Sequence, residues 1–379
     1  MKISQLLFTN GDWTQRRESE GFNAQEAQLI LALGSAPEMH RPEITTSLQE
    51  RFPRAQLVWA STAGEILGNE IHDETIAVTV IQLEKSLIRC CCIDILSLPN
   101  SETAGKILME ELQAPDLKSI FVLSDGTHVN GSELVAGINS SNPKNIPITG
   151  GLAGDGNRFV KTFVGLNSIP KEAKLVAIGF YGNSISVSHA SMGGWDEFGP
   201  ARTITRSELN VLYEIDGKNA LELYKEYLGP YSHELPGSAL LFPLHLKQPG
   251  QEEGTVRTIL SIDERKQSMR FAGNLPEGSI VRLMKANFEK LIDASSEAAR
   301  DSFDPLTNQP ELSILISCVG RKLILQERTQ EEVQAATNVF GSSTFTTGFY
   351  SYGEISPFKN ENRCELHNQT MTITSISEL

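Results

Sequence analysis

The sequence predicts an α/β and α+β protein of two domains, 1–205 and 206–379, with mixed β-sheets flanked by helices. Three observations predict it. Apolar runs of strand length alternate with helix-period segments through the first half, as strand-helix-strand layers do. Strand-like runs then cluster over 239–283 ahead of two helical segments, the pattern of a segregated α+β domain. Finally, 379 residues, 40% hydrophobic and 21% charged, suffice for two cores of ordinary size.

Taken in order, 27–34 is an apolar run ending in Gly34 and reads as a buried strand. Ile44, Leu48 and Phe52 recur at four-residue steps and predict a helix over 41–52, after which 56–60 resumes strand character. Strand runs at 75–81 and 87–95 flank Glu84-Lys85-Ser86 and are expected to form a hairpin. A helix over 104–112, a buried strand over 119–123 and a helix over 132–138 follow. Glycine-rich 150–156 then leads into a strand over 159–166. Runs 175–180 and 185–190 read as another strand pair, and turn-rich 193–200 marks the domain seam. Beyond it come a strand over 209–215 and a helix over 220–228 stopped by Gly229. Strands at 239–246, 255–262, 268–271 and 279–283 precede a helix over 288–300. A buried strand ends at Cys318, Gly320 and Arg321, and a last helix covers 330–340. No internal repeat is visible.

Charge and motifs narrow the function. A net charge of −14 argues against nucleic acid or an anionic membrane as partner, since phosphate binding needs a positive surface. The first residues break into polar Thr9-Asn10-Gly11-Asp12 before any signal-length apolar run, and no later run could cross a bilayer, so a cytoplasmic location is expected. Five cysteines, three of them consecutive at 90–92, read as reduced packed thiols rather than a disulfide or zinc framework. Residues 150–156 match neither GxGxxG nor the P-loop, and GxSxG, HExxH and CxxC are absent.

The candidate site centres on 347–358 and 366–372. Gly348 and Gly353 flank Tyr350 and Tyr352, Glu354 follows, and His367, Asn368 and Gln369 stand just beyond. Glycine admits close approach of backbone and tyrosine offers an apolar wall with a polar tip, which reads as a small-molecule pocket or, equally, as a hairpin with core tyrosines. Ser61 and Thr62 stand at a strand end, where α/β sheets often bind ligands. Asp155 either caps a turn or faces a ligand. Arg321 either holds a carboxylate through two parallel hydrogen bonds or makes a salt bridge. His367 is open to three roles: a ligand hydrogen bond, haem ligation or a satisfied core imidazole. A hydrolase or transferase would use Cys318, or Asp125 with His128; the plainer readings are a buried thiol and a turn.

These motifs taken together, 61–66, 150–155, 213–217, 347–355 and 366–370, resemble the FIST family, whose N and C domains would cover nearly the whole chain. The resemblance implies a non-enzymatic sensory protein of bacterial signal transduction that binds small ligands, amino acids especially. A subset of similar proteins binds haem, senses nitric oxide and acts on a separate histidine kinase, which here would make His367 the iron ligand. FIST proteins are often fused to output modules. Both halves consume this chain, so a signal is expected to pass to a separate partner, such as a histidine kinase. The expected roles are Arg321 for a ligand carboxylate, Glu354 or Asp155 for an ammonium group, Tyr350 and Tyr352 as walls, and Asn368 and Gln369 as orienting groups, in a pocket at or near the domain junction.

Overall fold

In Leu29–Gly34 (β3) every side chain is buried, because alternate residues serve two cores: Leu29, Leu31 and Leu33 point to one and Ile30 and Ala32 to the other. Such a two-faced strand occurs three times. The computed structural model, which describes residues 1–304, 309–358 and 363–379, places each copy in its own sheet.

The first unit comprises β1 (Lys2–Thr9), β2 (Asp12–Glu18), β3, helices α1 (Ala36–Met39) and α2 (Pro42–Arg51), β4 (Gln56–Ser61), β5 (Glu65–Leu67), β6 (Glu70–His72) and β7 (Ile76–Gln82). The second comprises β8 (Leu87–Asp94), α3 (Ser101–Leu112), β9 (Leu117–Ser124), α4 (Gly131–Ser140), β10 (Ile148–Leu152), β11 (Val164–Leu166) and β12 (Lys174–Tyr181). The third opens with β13 (Ile185–Met192) and is then interrupted by a separate module. The module holds strands β14 to β21: Asp196–Glu208, Val211–Ile215, Lys218–Asn219, Leu244–Lys247, Thr255–Arg257, Ile259–Asp263, Ser268–Phe271 and Ile280–Lys285. Helix α5 (Ala220–Leu228) packs on them around a core of its own, which includes Leu212, Leu221 and Phe271. The third unit resumes with α6 (Phe288–Asp301), β22 (Leu312–Cys318), α7 (Val319–Leu325), α8 (Thr329–Phe340), β23 (Phe345–Ser351), β24 (Gly353–Pro357), β25 (Cys364–His367) and β26 (Met371–Glu378).

Each unit follows one plan. Two parallel strands joined through helix (β3 and β4, β9 and β10, β22 and β23) take an antiparallel closing strand (β7, β12, β26), which in turn takes the leading strand (β1, β8, β13). The next strand of each unit leaves home: β5 pairs with β23, β11 with β4 and β24 with β10. The three exchanges close a cycle. Backbone details repeat with them. Glu74, Ala173 and Gln369, just ahead of the closing strands, all adopt positive φ, and the N–H groups of Ser35, Asp125 and Cys318 donate to the carbonyls of Thr75, Lys174 and Thr370. Side chains differ so much between units that sequence inspection misses the repeat, and the expectation of no repeat is corrected at the level of topology.

The same plan corrects several local expectations. Strands β7 and β8 are no hairpin, nor are β12 and β13, because a closing strand and the next leading strand belong to different sheets. Residues 351–353 likewise cross from one sheet to another rather than turning within one. The strand expected over 159–166 shrinks to β11, since Phe159 has φ 54 and the Phe159, Val160 and Lys161 N–H groups bond to Asp155 instead of a ladder. Residues 237–241 form a 3-10 turn ahead of β17, and Arg321 lies in the first turn of α7 rather than at a strand end. The seam expected after residue 205 lies inside β14. The fold is thus α/β and α+β, with mixed sheets flanked by helices.

One core joins the three sheets, with Leu31 and Val58 from the first, Leu123 and Val176 from the second and Ile314 and Phe349 from the third. Gly150 in β10 and Gly348 in β23 occupy equivalent positions, paired with Val122 and Leu315 of the neighbouring parallel strands. A Cβ there would stand 1.9 Å from the carbonyl oxygens of Val122 and Leu315 respectively. Gly150→Ala and Gly348→Ala are each expected to cost at least about 1–3 kcal/mol in urea unfolding, and to comparable extents. A neutral result at either would contradict the close strand approach.

Candidate functional site

The parallel strands of all three units end around a common ring of backbone hydrogen bonds. Gly154 N donates to Ser61 O at 2.9 Å, Tyr352 N to Leu152 O at 3.1 Å and Ala63 N to Tyr350 O at 2.8 Å, so each unit holds the next. Beside this ring, at the carboxyl ends of β3 and β4 and against α7, opens a cleft of about 950 Å³. Thr62, Glu65, Asp73, Arg158, Lys322 and Gln330 are among its walls.

Its chemistry is built from the ring outward. The Thr62 hydroxyl donates to Glu65 Oε1, while Thr75 donates to Oε2 through its hydroxyl at 2.7 Å and its N–H at 3.3 Å. Burial pushes the Glu65 carboxyl up to about 7 against these hydrogen bonds, which favour the anion. Lys322 reaches across from α7: its ammonium donates to Ala63 O at 3.0 Å, pairs with Asp73 and stands 5.4 Å above the Tyr350 ring. Gly64 makes room for it, since a Cβ there would meet Nζ at 2.4 Å. The third unit carries a twin of the acid. Glu354 Oε1 accepts from Ser351 Oγ at 2.7 Å and Oε2 from Thr370 Oγ1 at 2.9 Å and Thr370 N at 3.2 Å, and burial again pushes the carboxyl up to about 7. Glu65 meets the cleft; Glu354 is enclosed.

Of the residues singled out in the sequence, Thr62 lines the cleft and the others stand behind or beside it. Ser61 Oγ accepts from Phe163 N at 2.8 Å. Arg321 is fully buried, and its guanidinium donates to Glu332, Ser295 Oγ and the carbonyls of Gly193, Leu291 and Gln369, so all of its N–H directions have protein partners. Tyr350 joins that group by donating to Glu332 at 2.9 Å. Gln369 packs its amide against Gly320, with no hydrogen-bond partner for that amide among the described residues. Asp155 organises the following loop: Tyr352 donates to its Oδ1, and Phe159 stacks on the Tyr352 ring at 4.4 Å. Asn368 Nδ2 donates to His367 O at 2.9 Å.

His367 stands apart from the cleft. Its Nε2 lies 3.0 Å from Ser356 O, Phe358 meets the ring edge-on, and burial lowers its pKa to about 4. A haem ligand needs an imidazole nitrogen facing open space, and these surroundings do not fit that group. Cys318 is buried, which pushes its thiol well above the ordinary value, and Asp125 spends its carboxylate on the Thr127, His128 and Ala173 N–H groups. Among the described residues no cluster of three or more His, Cys, Asp or Glu could hold a metal ion, and no helix is long and apolar enough to cross a membrane. Lys322, Asp73 and Arg158 escaped sequence reasoning. Glu65 left a signal, because Gly64-Glu65-Ile66 recurs as Gly353-Glu354-Ile355.

Family comparison places this cleft in context. Residues 28–218 match the FIST N domain and residues 220–357 the FIST C domain. The chain belongs to the FIST family. FIST domains are generally sensory domains of signal transduction. An archaeal relative, an uncharacterized protein of Methanocaldococcus jannaschii, is 22% identical in an alignment 370 residues long that covers 90% of this chain and 69% of that protein. The match reaches across both FIST segments, whose strands interleave here: β5 of the N segment pairs with β23 of the C segment, and β10 with β24.

The twin acids predict a pH dependence. Their folded pKa values exceed that of an unfolded glutamate, so the folded state holds extra protons between about 4.5 and 7. Their contribution to stability is complete below that window and is lost as pH rises through it. Glu354→Gln keeps the shape without the titration and is expected to flatten the slope of unfolding free energy between pH 5 and 7 by up to about 1.4 kcal/mol per pH unit. An unchanged slope in urea titrations would show that Glu354 does not carry this linkage.

Proposed function

We propose that this FIST protein is a sensor whose ligand, an amino acid or a similar metabolite, occupies the cleft beside the backbone ring, and that it signals through a separate partner such as a histidine kinase. The observation that carries the reading is the composition of the cleft: Lys322 and Arg158 face five acidic side chains across a space of about 950 Å³, large enough for a small metabolite. A zwitterion matches both signs. Lys322 and Arg158 receive its carboxylate, Asp73 and Glu65 its ammonium group, and Thr62 its remaining polar atoms. Tyr350 backs Lys322 from inside the fold, while Arg321, Glu354, Gln369 and the Asp155–Tyr352 pair act from behind by fixing the turns that carry those groups.

The reading is one of binding rather than turnover, because Cys318 and Asp125, which chemistry would use, are enclosed and hydrogen-bonded. Coupling to a partner has a route in the chain. Neighbouring residues of α7 face opposite ways, Lys322 into the cleft and Arg321 onto the Gly193 carbonyl, just ahead of the inserted module. A ligand that draws Lys322 away from Asp73 therefore pulls on the base of that module.

Thermal-shift and calorimetric titration against the amino acids and small amines tests the proposal. A ligand at one hundred times its Kd is expected to stabilise the fold by about 2.7 kcal/mol. Lys322→Ala and Asp73→Ala should abolish that gain while leaving the ligand-free melting temperature within a few degrees. Absence of any stabilising compound, or binding that survives both substitutions, would refute the site.

A further inference from the structure

The threefold plan exposes an inconsistency at the sheet edges. In the first unit the leading strand β1 has its outer edge covered by β2, antiparallel, so the sheet continues. The equivalent strand of the second unit, β8, ends its sheet and pairs only with β12, through eight successive residue pairs without a bulge. It is a straight edge. It carries no proline, lysine or bulge, and its two charged residues, Arg89 and Asp94, are of opposite sign. Leu87 at its start and Leu96 just past its end are 69% and 74% exposed, the two most exposed large hydrophobic side chains among the described residues. The third leading strand, β13, is also terminal, but it carries no exposed large hydrophobic residue.

We propose that β8 pairs antiparallel with β8 of a second copy of this chain, with Cys91 on the two-fold axis. The partner strand takes the place that β2 fills beside β1, and two six-stranded sheets become one of twelve. Symmetry restricts the register. Directly opposed residues share a face, so in a two-fold antiparallel pair their numbers must have equal parity. Centring on Cys91 sets Leu87 opposite Ile95 of the other copy, with Leu96 beside it, and covers both exposed leucines. Arg89 then faces Ile93 and Asp94 faces Ile88, so no like charges oppose each other. Centring on Arg89 would set two guanidinium groups face to face. The chosen register also places Cys90 opposite Cys92, which accounts for three successive thiols on an edge as small side chains that let two sheets meet closely. This inference rests on the sheet edge alone and is independent of the ligand reading.

Sedimentation or light scattering of the full chain tests it. The expected mass is twice 41.6 kDa. Leu87→Glu, on a side chain already mostly in solvent, should give a monomer with an unchanged circular dichroism spectrum. In a Cys90→Ser, Cys92→Ser variant, mild copper oxidation should link the two Cys91 residues into a covalent dimer, each pair of thiols giving up two protons and two electrons to the oxidant. Directly opposed residues are close enough for that bond. A chain that stays monomeric at the highest concentration, a dimer indifferent to Leu87→Glu, or a dimer whose Cys91 residues do not link would overturn the proposal.

Discussion

Every backbone group on a buried strand edge must find a partner, and in this protein each unit meets that demand with a strand borrowed from another unit. The constraint is reciprocal. Strand β5 leaves the first sheet to serve the third, β24 leaves the third to serve the second, and β11 leaves the second to serve the first. No unit can complete its sheet alone, so the three close together around one core. The ring at 61–63, 152–154 and 350–352 is where the exchange begins. Its geometry explains why the large cleft beside it is lined by residues from all three units.

Charge placement follows from that closure. Where units meet, polar turn residues are carried inside, and each needs an internal partner. Arg321 and Glu332 are both fully buried, and breaking such a pair by removing one member typically costs about 3–5 kcal/mol. The pair therefore fixes α6, α7 and α8 against one another rather than waiting for a ligand. Lys322, one residue further, has a different setting: its partner Asp73 is 63% exposed, and such a contact is worth little to the fold. An exchangeable ion pair thus stands beside a fixed one on the same short helix.

Much of this was legible in the sequence. The strand at 27–34, the helix at 41–52 and the helix at 220–228 stand close to where apolar spacing and glycine stops put them, because local periodicity decides them. The family motifs were legible too, and three of them, 61–66, 150–155 and 347–355, mark the turns of the ring. Partnership was not. Residues 75–95 have the spacing of a hairpin, and nothing local shows that the second strand enters another sheet. The candidate site suffered similarly. Tyr350 and Glu354 have the composition of a pocket, yet composition cannot distinguish polar groups that face a ligand from polar groups that satisfy one another. Lys322 left no trace, since a lysine in a short helix is ordinary until the fold brings Ala63 and Asp73 to it.

The repeat also explains why one turn opens and its twin does not. Thr62 and Ser351 hold Glu65 and Glu354 in the same way, with Thr75 and Thr370 as matching second donors. A symmetric scaffold would give equivalent cavities at both. The second unit breaks the symmetry beside Glu354: its Gly126 lies against the Tyr352 ring, and Phe159 stacks on that ring. Beside Glu65, the residue corresponding to Tyr352 is Ala63, and Gly64 after it leaves room for a flexible lysine. Both carboxyls are buried, yet Glu65 borders a cleft and Glu354 does not, so the difference lies in the neighbours that each turn meets rather than in the acid itself.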